Sequence, residues 1–319
     1  KGQRGFPLDA DKGLLNIRYN SHATAEIVEG PHSGEADSSV MAYNWRLILT
    51  RDPDNRVMVK KPENYDIALA RRAASTSASP NFVPNLPNAK VAWNHRGRLI
   101  GPQNGYPGGD WPTRERIARQ CLDAMLMALW YMQNEPEVDD AIRRAFDGYG
   151  LAADEFADNA HIPYEIYVRE ARRLVGRAVF TEHDNLIAEG IARTPIHGDS
   201  IAITDWPVDS VACLPRTVGK SHMDGVFFLS EVCRPAQVPY RCLLAKEVDN
   251  LLVPVALSAS HVGWGSIRLE PVWMQTGEAA GFAAALAVKG GVVPAELDPD
   301  LLVRTLVKNR FAVSFFNDA

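Results

Sequence analysis

The stretch Gly263–Ala287, GWGSIRLEPVWMQTGEAAGFAAALA, constrains this chain more than any other. It follows NLLVPVALSAS, which reads as a strand buried on both faces. Two close glycines then give way to a proline and a run that is nearly all alanine and glycine. Strand, glycine loop and helix, in that order, turn unpaired first-turn amides and a positive dipole end toward a bound group. Pro271 suits that first turn, where its missing N–H costs nothing. Gly277, Ala279, Ala280, Gly281, Ala283, Ala284 and Ala285 make the helix slim, so a sheet or second helix is expected close to it. A plain buried helix has the same needs, and taken alone the stretch fits both readings.

Around this unit the sequence alternates texture. SSVMAYNWRLILT reads as a strand closed by the turn RDPDNR, and KPENYDIALARRAA as a helix entry. TRERIARQCLDAMLMALWYMQNE has a 3.6-residue apolar period with Thr113 as the expected N-cap. VDDAIRRAFDGYG predicts a second helix and YEIYVREARRLVGRAVFT a third, with Arg169, Glu170, Arg172 and Arg173 forming an ionic set on it. From Asp199 short strands follow: DSIAITDWPVDSVACLP, GVFFLSE and AQVPYRCLLA. DPDLLVRTLVKNR closes the chain as an amphipathic helix. The expected class is α+β, a mixed sheet with a helical insertion and a terminal strand–loop–helix. Its expected parts are substrate-domain strands and loops over 1–104, a helical insertion over 105–190, a substrate-domain sheet over 191–247 and the terminal unit over 248–319.

Composition narrows the function classes. The 319 residues carry a net charge of −5, with 46% hydrophobic and 23% charged positions. There is no basic block of the kind a nucleic-acid binder needs. No apolar run reaches the roughly 18 residues of a membrane span. Cys121, Cys213, Cys233 and Cys242 form no CxxC pair and read as buried small side chains, with a disulfide open among the last three. Asp199, Asp205 and Asp209 lack a tight loop to gather a metal, so none is expected, and GxSxG and HExxH motifs are absent. Neither a targeting signal nor a compartment is legible.

Ordered blocks carry a resemblance. PYRCLLAKEVDNLLVPVALSASHVGWGSIRLEPVWMQTGEAAGFAAALA is similar to the C-terminal part of the FAD-dependent oxidoreductase family, whose members often bear the label xanthan lyase. AYNWRLILTRDPDNR, KPENYD, IGPQNGYP, YGLAADEFADNAHIPYEIYVREARRLVG and DSIAITDWPVDS resemble further blocks of it, in the same order. The likeness covers about residues 37–310. It implies the C-terminal portion of a glutathione-reductase-like FAD-binding fold, with FAD as cofactor. By the same likeness Ser258, Ser260, Gly263, Gly265, Ser266, Ile267, Arg268, Leu269, Glu270 and Pro271 pass the flavin, and the helix start serves the flavin edge that becomes negative on reduction. One departure stands out: Val211 follows the Asp209–Ser210 pair where a histidine is common. The GxGxxG strand turn that cradles a pyrophosphate is not found in these residues. A second polypeptide carrying that half is therefore the expected partner, alongside a small-molecule substrate.

Several side chains are candidates for chemistry. His261, beside the expected flavin, suits acid/base work on a substrate hydroxyl or a structural bond in the loop. Arg46 and Arg241, on expected strands, suit a carboxylate or hydroxyl clamp. Asn44, Asn94, Trp93 and Arg169 are candidate substrate contacts, Asn44 and Asn94 because they are polar within apolar or aromatic surroundings. Arg268 either neutralises an anion or forms a buried ion pair with Glu270. The leading expectation is hydride transfer to flavin from a small polar substrate, with carbohydrates among the candidates. A flavin-free polysaccharide lyase and a non-catalytic partner subunit are the alternatives.

Overall fold

A computed structural model of the chain describes residues 17–19, 25–27, 38–74, 82–94, 98–215, 225–230 and 233–315. The chain is mixed α/β and its paired strands are antiparallel. It divides into two compact units, 40–169 and 1–39 with 170–319. In the second unit, strands β1 (Ile17–Tyr19) and β2 (Ala25–Ile27) make one hairpin-like pair.

Unit 40–169 contains strands β3 (Leu47–Thr50), β4 (Arg56–Val57), β5 (Phe82–Leu86), β6 (Lys90–Trp93) and β7 (Gly150–Ala152) in the order β4-β7-β3-β6-β5. Helices α1 (Ile67–Ala74), α2 (Trp111–Asn134) and α3 (Asp140–Phe146) accompany the sheet. The α2 residues Ile117, Cys121, Ala124, Met125, Ala128 and Met132 recur at three- and four-residue steps and are buried. They share a core with Leu47, Leu49 and Trp93 of the sheet. The α2 N-cap is Asp110, not Thr113: its carboxylate accepts from the Thr113 N–H at 3.0 Å. An Asp one residue before the Trp-Pro start satisfies the orphan amide better than a Thr already inside the first turn.

In the other unit, β8 (Ser200–Thr204) pairs β11 (Ala236–Pro239), and β9 (Asp209–Ser210) pairs β10 (Phe227–Phe228). Helices α4 (His261–Ile267), α5 (Glu270–Gly290) and α6 (Pro299–Lys308) complete it. Three expectations are corrected here. Residues 164–181 form no helix. Their backbone pairs outward instead: Leu174 N–H donates to Ala256, Arg177 to Leu244 and Phe180 to Ser258, at 2.8–3.0 Å. Tertiary pairing overrides a helical charge pattern that offers only a few tenths of a kcal/mol per pair. NLLVPVALSAS is not a doubly buried strand either; Leu251 and Val255 are 42% and 46% exposed. The glycine loop after it is the short helix α4. All four cysteines are free and buried, so no disulfide forms, and burial pushes the Cys121 thiol up to about 12.

Candidate functional site

The expected flavin residues fall into an enclosed part and an open part. Ser260 opens α4 by accepting from the Gly263 N–H at 3.0 Å. Every residue of α4 is buried. Its glycines are there for the chain itself. A Cβ on Gly263 would sit 2.7 Å from the Phe180 carbonyl oxygen, and one on Gly265 would sit 2.8 Å from the Asp209 nitrogen. Ser266 Oγ donates to the Gly263 carbonyl at 3.3 Å, and its own carbonyl accepts from Thr204 at 2.7 Å. Ile267 is fully buried, as is Ser258, whose hydroxyl has no partner.

Arg268 is buried and forms an ion pair with Asp209, adding a bond from Nε to the Asp209 carbonyl at 3.3 Å. The buried-pair alternative thus has Asp209 as its acid, while Glu270 is exposed. The start of α5 is the open part. Leu269 is the N-cap and supplies no side-chain acceptor, Pro271 occupies the first turn, and Glu270 and Pro271 are exposed. The fit of these residues to a flavin is therefore uneven. The uncapped, accessible first turn of α5 suits an anion-bearing edge. The α4 glycines are closed by this chain's own backbone.

His261 lies at the centre of a buried polar cluster. Its Nδ1 is 2.8 and 3.0 Å from the two carboxylate oxygens of Glu170, and Nε2 is 3.4 Å from Ser210 Oγ. His261, Glu170 and Ser210 are 0%, 1% and 1% exposed. Arg173 pairs with Glu170 and donates from Nε to the Ala259 carbonyl at 2.8 Å. A carboxylate on Nδ1 sets the ring so that Nε2 meets the serine hydroxyl. These bonds tie α4 to Glu170 and Ser210. Sequence reading missed Glu170 and Ser210 as its partners; 91 and 51 residues separate them from His261 and no local pattern links them.

The remaining candidates split between the two units. Arg241 pairs with Asp199 through Nε at 2.9 Å while its side chain stays 57% exposed. Bonding to that carboxylate holds the guanidinium above its ordinary range. Asp199 and Asp209 are thus both engaged by arginines and Asp205 is exposed. Among the described residues no three acidic, His or Cys side chains gather as a metal site. In unit 40–169 the Arg46 and Arg169 guanidinium groups lie against the ring of Tyr167, a residue the sequence reading did not single out; the Tyr167 N–H donates to the Asn44 carbonyl and Asn44 Nδ2 to the Asn94 carbonyl. Trp93 goes elsewhere, into the core against Phe146 at 6.1 Å, and its Nε1 has no partner.

Comparison with known proteins gives one match. The family described as FAD dependent oxidoreductase matches residues 10–306. No curated protein and no solved structure matches the chain. Among the described residues no helix is long and apolar enough to cross a membrane.

Proposed function

Because the chain belongs to the FAD dependent oxidoreductase family, whose cofactor is FAD, we propose that it supplies the flavin-edge wall and the substrate-binding part of such an enzyme. The carrying observation is the contrast at the α4–α5 junction. Everything up to Arg268 is locked by the chain's own bonds, whereas the first turn of the 21-residue α5 is accessible and uncapped. A fixed helix start of that kind stabilises developing negative charge without having to reorganise. FAD, when bound, would supply the hydride-accepting chemistry for a carbon bearing a hydroxyl or amine. The chain's own residues orient. Leu269, Glu270 and Pro271 offer the flavin-facing turn. Arg268, through Asp209, fixes where that turn begins. His261 holds a proton between Nδ1 and Glu170 and keeps α4 beneath it; we assign it a positioning role.

On this reading residues 248–319 are the C-terminal part of a glutathione-reductase-like FAD-binding domain. Residues 1–104 and 191–247 serve the substrate, the helices of the 105–190 insertion are α2 and α3, and the substrate is small and polar. The GxGxxG element comes from polypeptide outside these 319 residues, since the sequence holds no such motif after a strand. The test is flavin retention. Native material is passed through gel filtration, with flavin absorbance and intact mass followed together. Flavin should co-elute with this chain in company with a GxGxxG-bearing polypeptide. If FAD is not retained even when such a polypeptide is supplied, the proposal fails.

A further inference from the structure

Unit 40–169 holds four unpaired polar atoms in one patch: Asn44 Oδ1, Asn94 Oδ1, Arg46 Nε and Tyr167 OH, all shut from water. Asn44 and Asn94 are 0% and 9% exposed, while Arg46 and Tyr167 are half-buried. The patch is continuous. Asn44 Nδ2 donates to the Asn94 carbonyl at 2.6 Å and to the Trp45 carbonyl at 2.9 Å. The Tyr167 N–H donates to the Asn44 carbonyl at 2.9 Å. The Arg46 guanidinium stacks 3.6 Å above the Tyr167 ring, and the Arg169 guanidinium lies 4.9 Å from the same ring, anchored on the Ala42 carbonyl at 2.7 Å.

Buried polar groups in folded proteins are paired, so four orphans on neighbouring side chains need a reason. Their chemistry is specific. Arg46 has no carboxylate within ion-pair reach among the described residues, and its guanidinium lies over the Tyr167 ring. That calls for an anion. The Asn44 and Asn94 oxygens only accept, so they disfavour an all-acceptor anion such as sulfate and call for hydroxyl donors. A ligand that satisfies both carries a carboxylate and hydroxyl groups together.

We propose that this patch binds a small polyhydroxy carboxylic acid, a sugar acid, with its carboxylate on Arg46 and its hydroxyls on Asn44, Asn94 and Tyr167. The assignment stands on the geometry of unit 40–169 alone and goes beyond the oxidoreductase reading. The test is calorimetric titration of the full chain with D-glucuronate and D-gluconate, against D-glucose and inorganic phosphate, with and without FAD. At least one acid should bind about tenfold or more tightly than either comparator, as expected for a charge-assisted hydrogen bond. Arg46→Gln should abolish that preference. Tyr167→Phe should weaken the acid severalfold with the circular dichroism unchanged. Neither acid binding, glucose or phosphate binding as tightly as the better acid, or an unchanged preference in Arg46→Gln overturns the proposal. Should Arg46→Gln not fold, unchanged affinity in Tyr167→Phe overturns it. Flavin retention, measured on the same samples with a GxGxxG-bearing polypeptide supplied, keeps the two readings apart. Acid binding without FAD retention sinks the oxidoreductase reading and spares this site; FAD retention without acid binding does the reverse.

Discussion

At the scale of single residues, the chain places charge in its interior and pairs it. Glu170 is the clearest case, because it serves both Arg173 and His261 while almost wholly buried. Glu170→Gln keeps the shape and removes the charge, leaving Arg173 facing a neutral amide. Removing one partner of a buried pair costs about 3–5 kcal/mol. Urea unfolding should therefore show a loss of that size, and a loss below about 1 kcal/mol would put the pair in the surface class instead. The patch around Tyr167 is the opposite case. An unpaired buried polar atom costs about 1–3 kcal/mol, so a ligand that pairs all four orphans should raise the unfolding midpoint. Asn44 and Asn94 are singled out in sequence because each is polar in apolar or aromatic surroundings, and Arg46 because it falls on an expected strand. Tyr167 is not, since it reads as an ordinary aromatic on an expected helix.

At the scale of elements, α4 and α5 use glycine for different ends. In α4 the glycines admit neighbouring backbone, so Gly265→Ala sets a Cβ against Asp209 and should destabilise by about 1–3 kcal/mol. In α5 a Cβ on Gly277 or Gly281 meets nothing within 4 Å. The slim helix expected from the alanine and glycine run is present, but its Gly277–Gly281 stripe has no close neighbour among the described residues. Gly277→Ala and Gly281→Ala should each stabilise the isolated chain by up to about 1 kcal/mol through helix propensity. The same two changes should weaken association with a GxGxxG-bearing chain if that chain lies on the stripe. Thermal unfolding of the chain alone and co-elution of the pair would measure the two effects separately. Stabilisation with unchanged co-elution would rule the stripe out as the contact.

At the scale of the whole molecule, three carboxylates of unit 40–169 make stability depend on acid pH. Asp110 is held low by the Thr113 cap, Glu137 by Arg71 and Tyr131, and Asp154 by Asn55 and Lys90. Each folded value lies below the unfolded one. Their contribution is complete above the ordinary carboxylate range, near pH 4, and is lost as pH falls through the folded values. Urea midpoints should thus be level from neutral pH to about pH 5 and then decline. Arg71→Met should flatten the part owed to Glu137. An acid decline identical in Arg71→Met and the parent would show that Glu137 contributes none of it.

The sequence by itself determined the helices with strong periodicity or clear caps, α1, α2, α3, α5 and α6, because those depend on neighbours three and four positions away. It also carried the family, through ordered blocks across most of the chain. Only the tertiary structure decided the fate of residues 164–181, where hydrogen bonds to residues 244–258 outweigh local helical preference. It alone put Glu170 and Ser210 on His261 and Asp209 on Arg268, because those partners lie 51 to 91 residues away in the chain. The opening stretch keeps its helix and its proline start. What long-range packing changed is the purpose of its first glycines, which make room for this chain's own backbone.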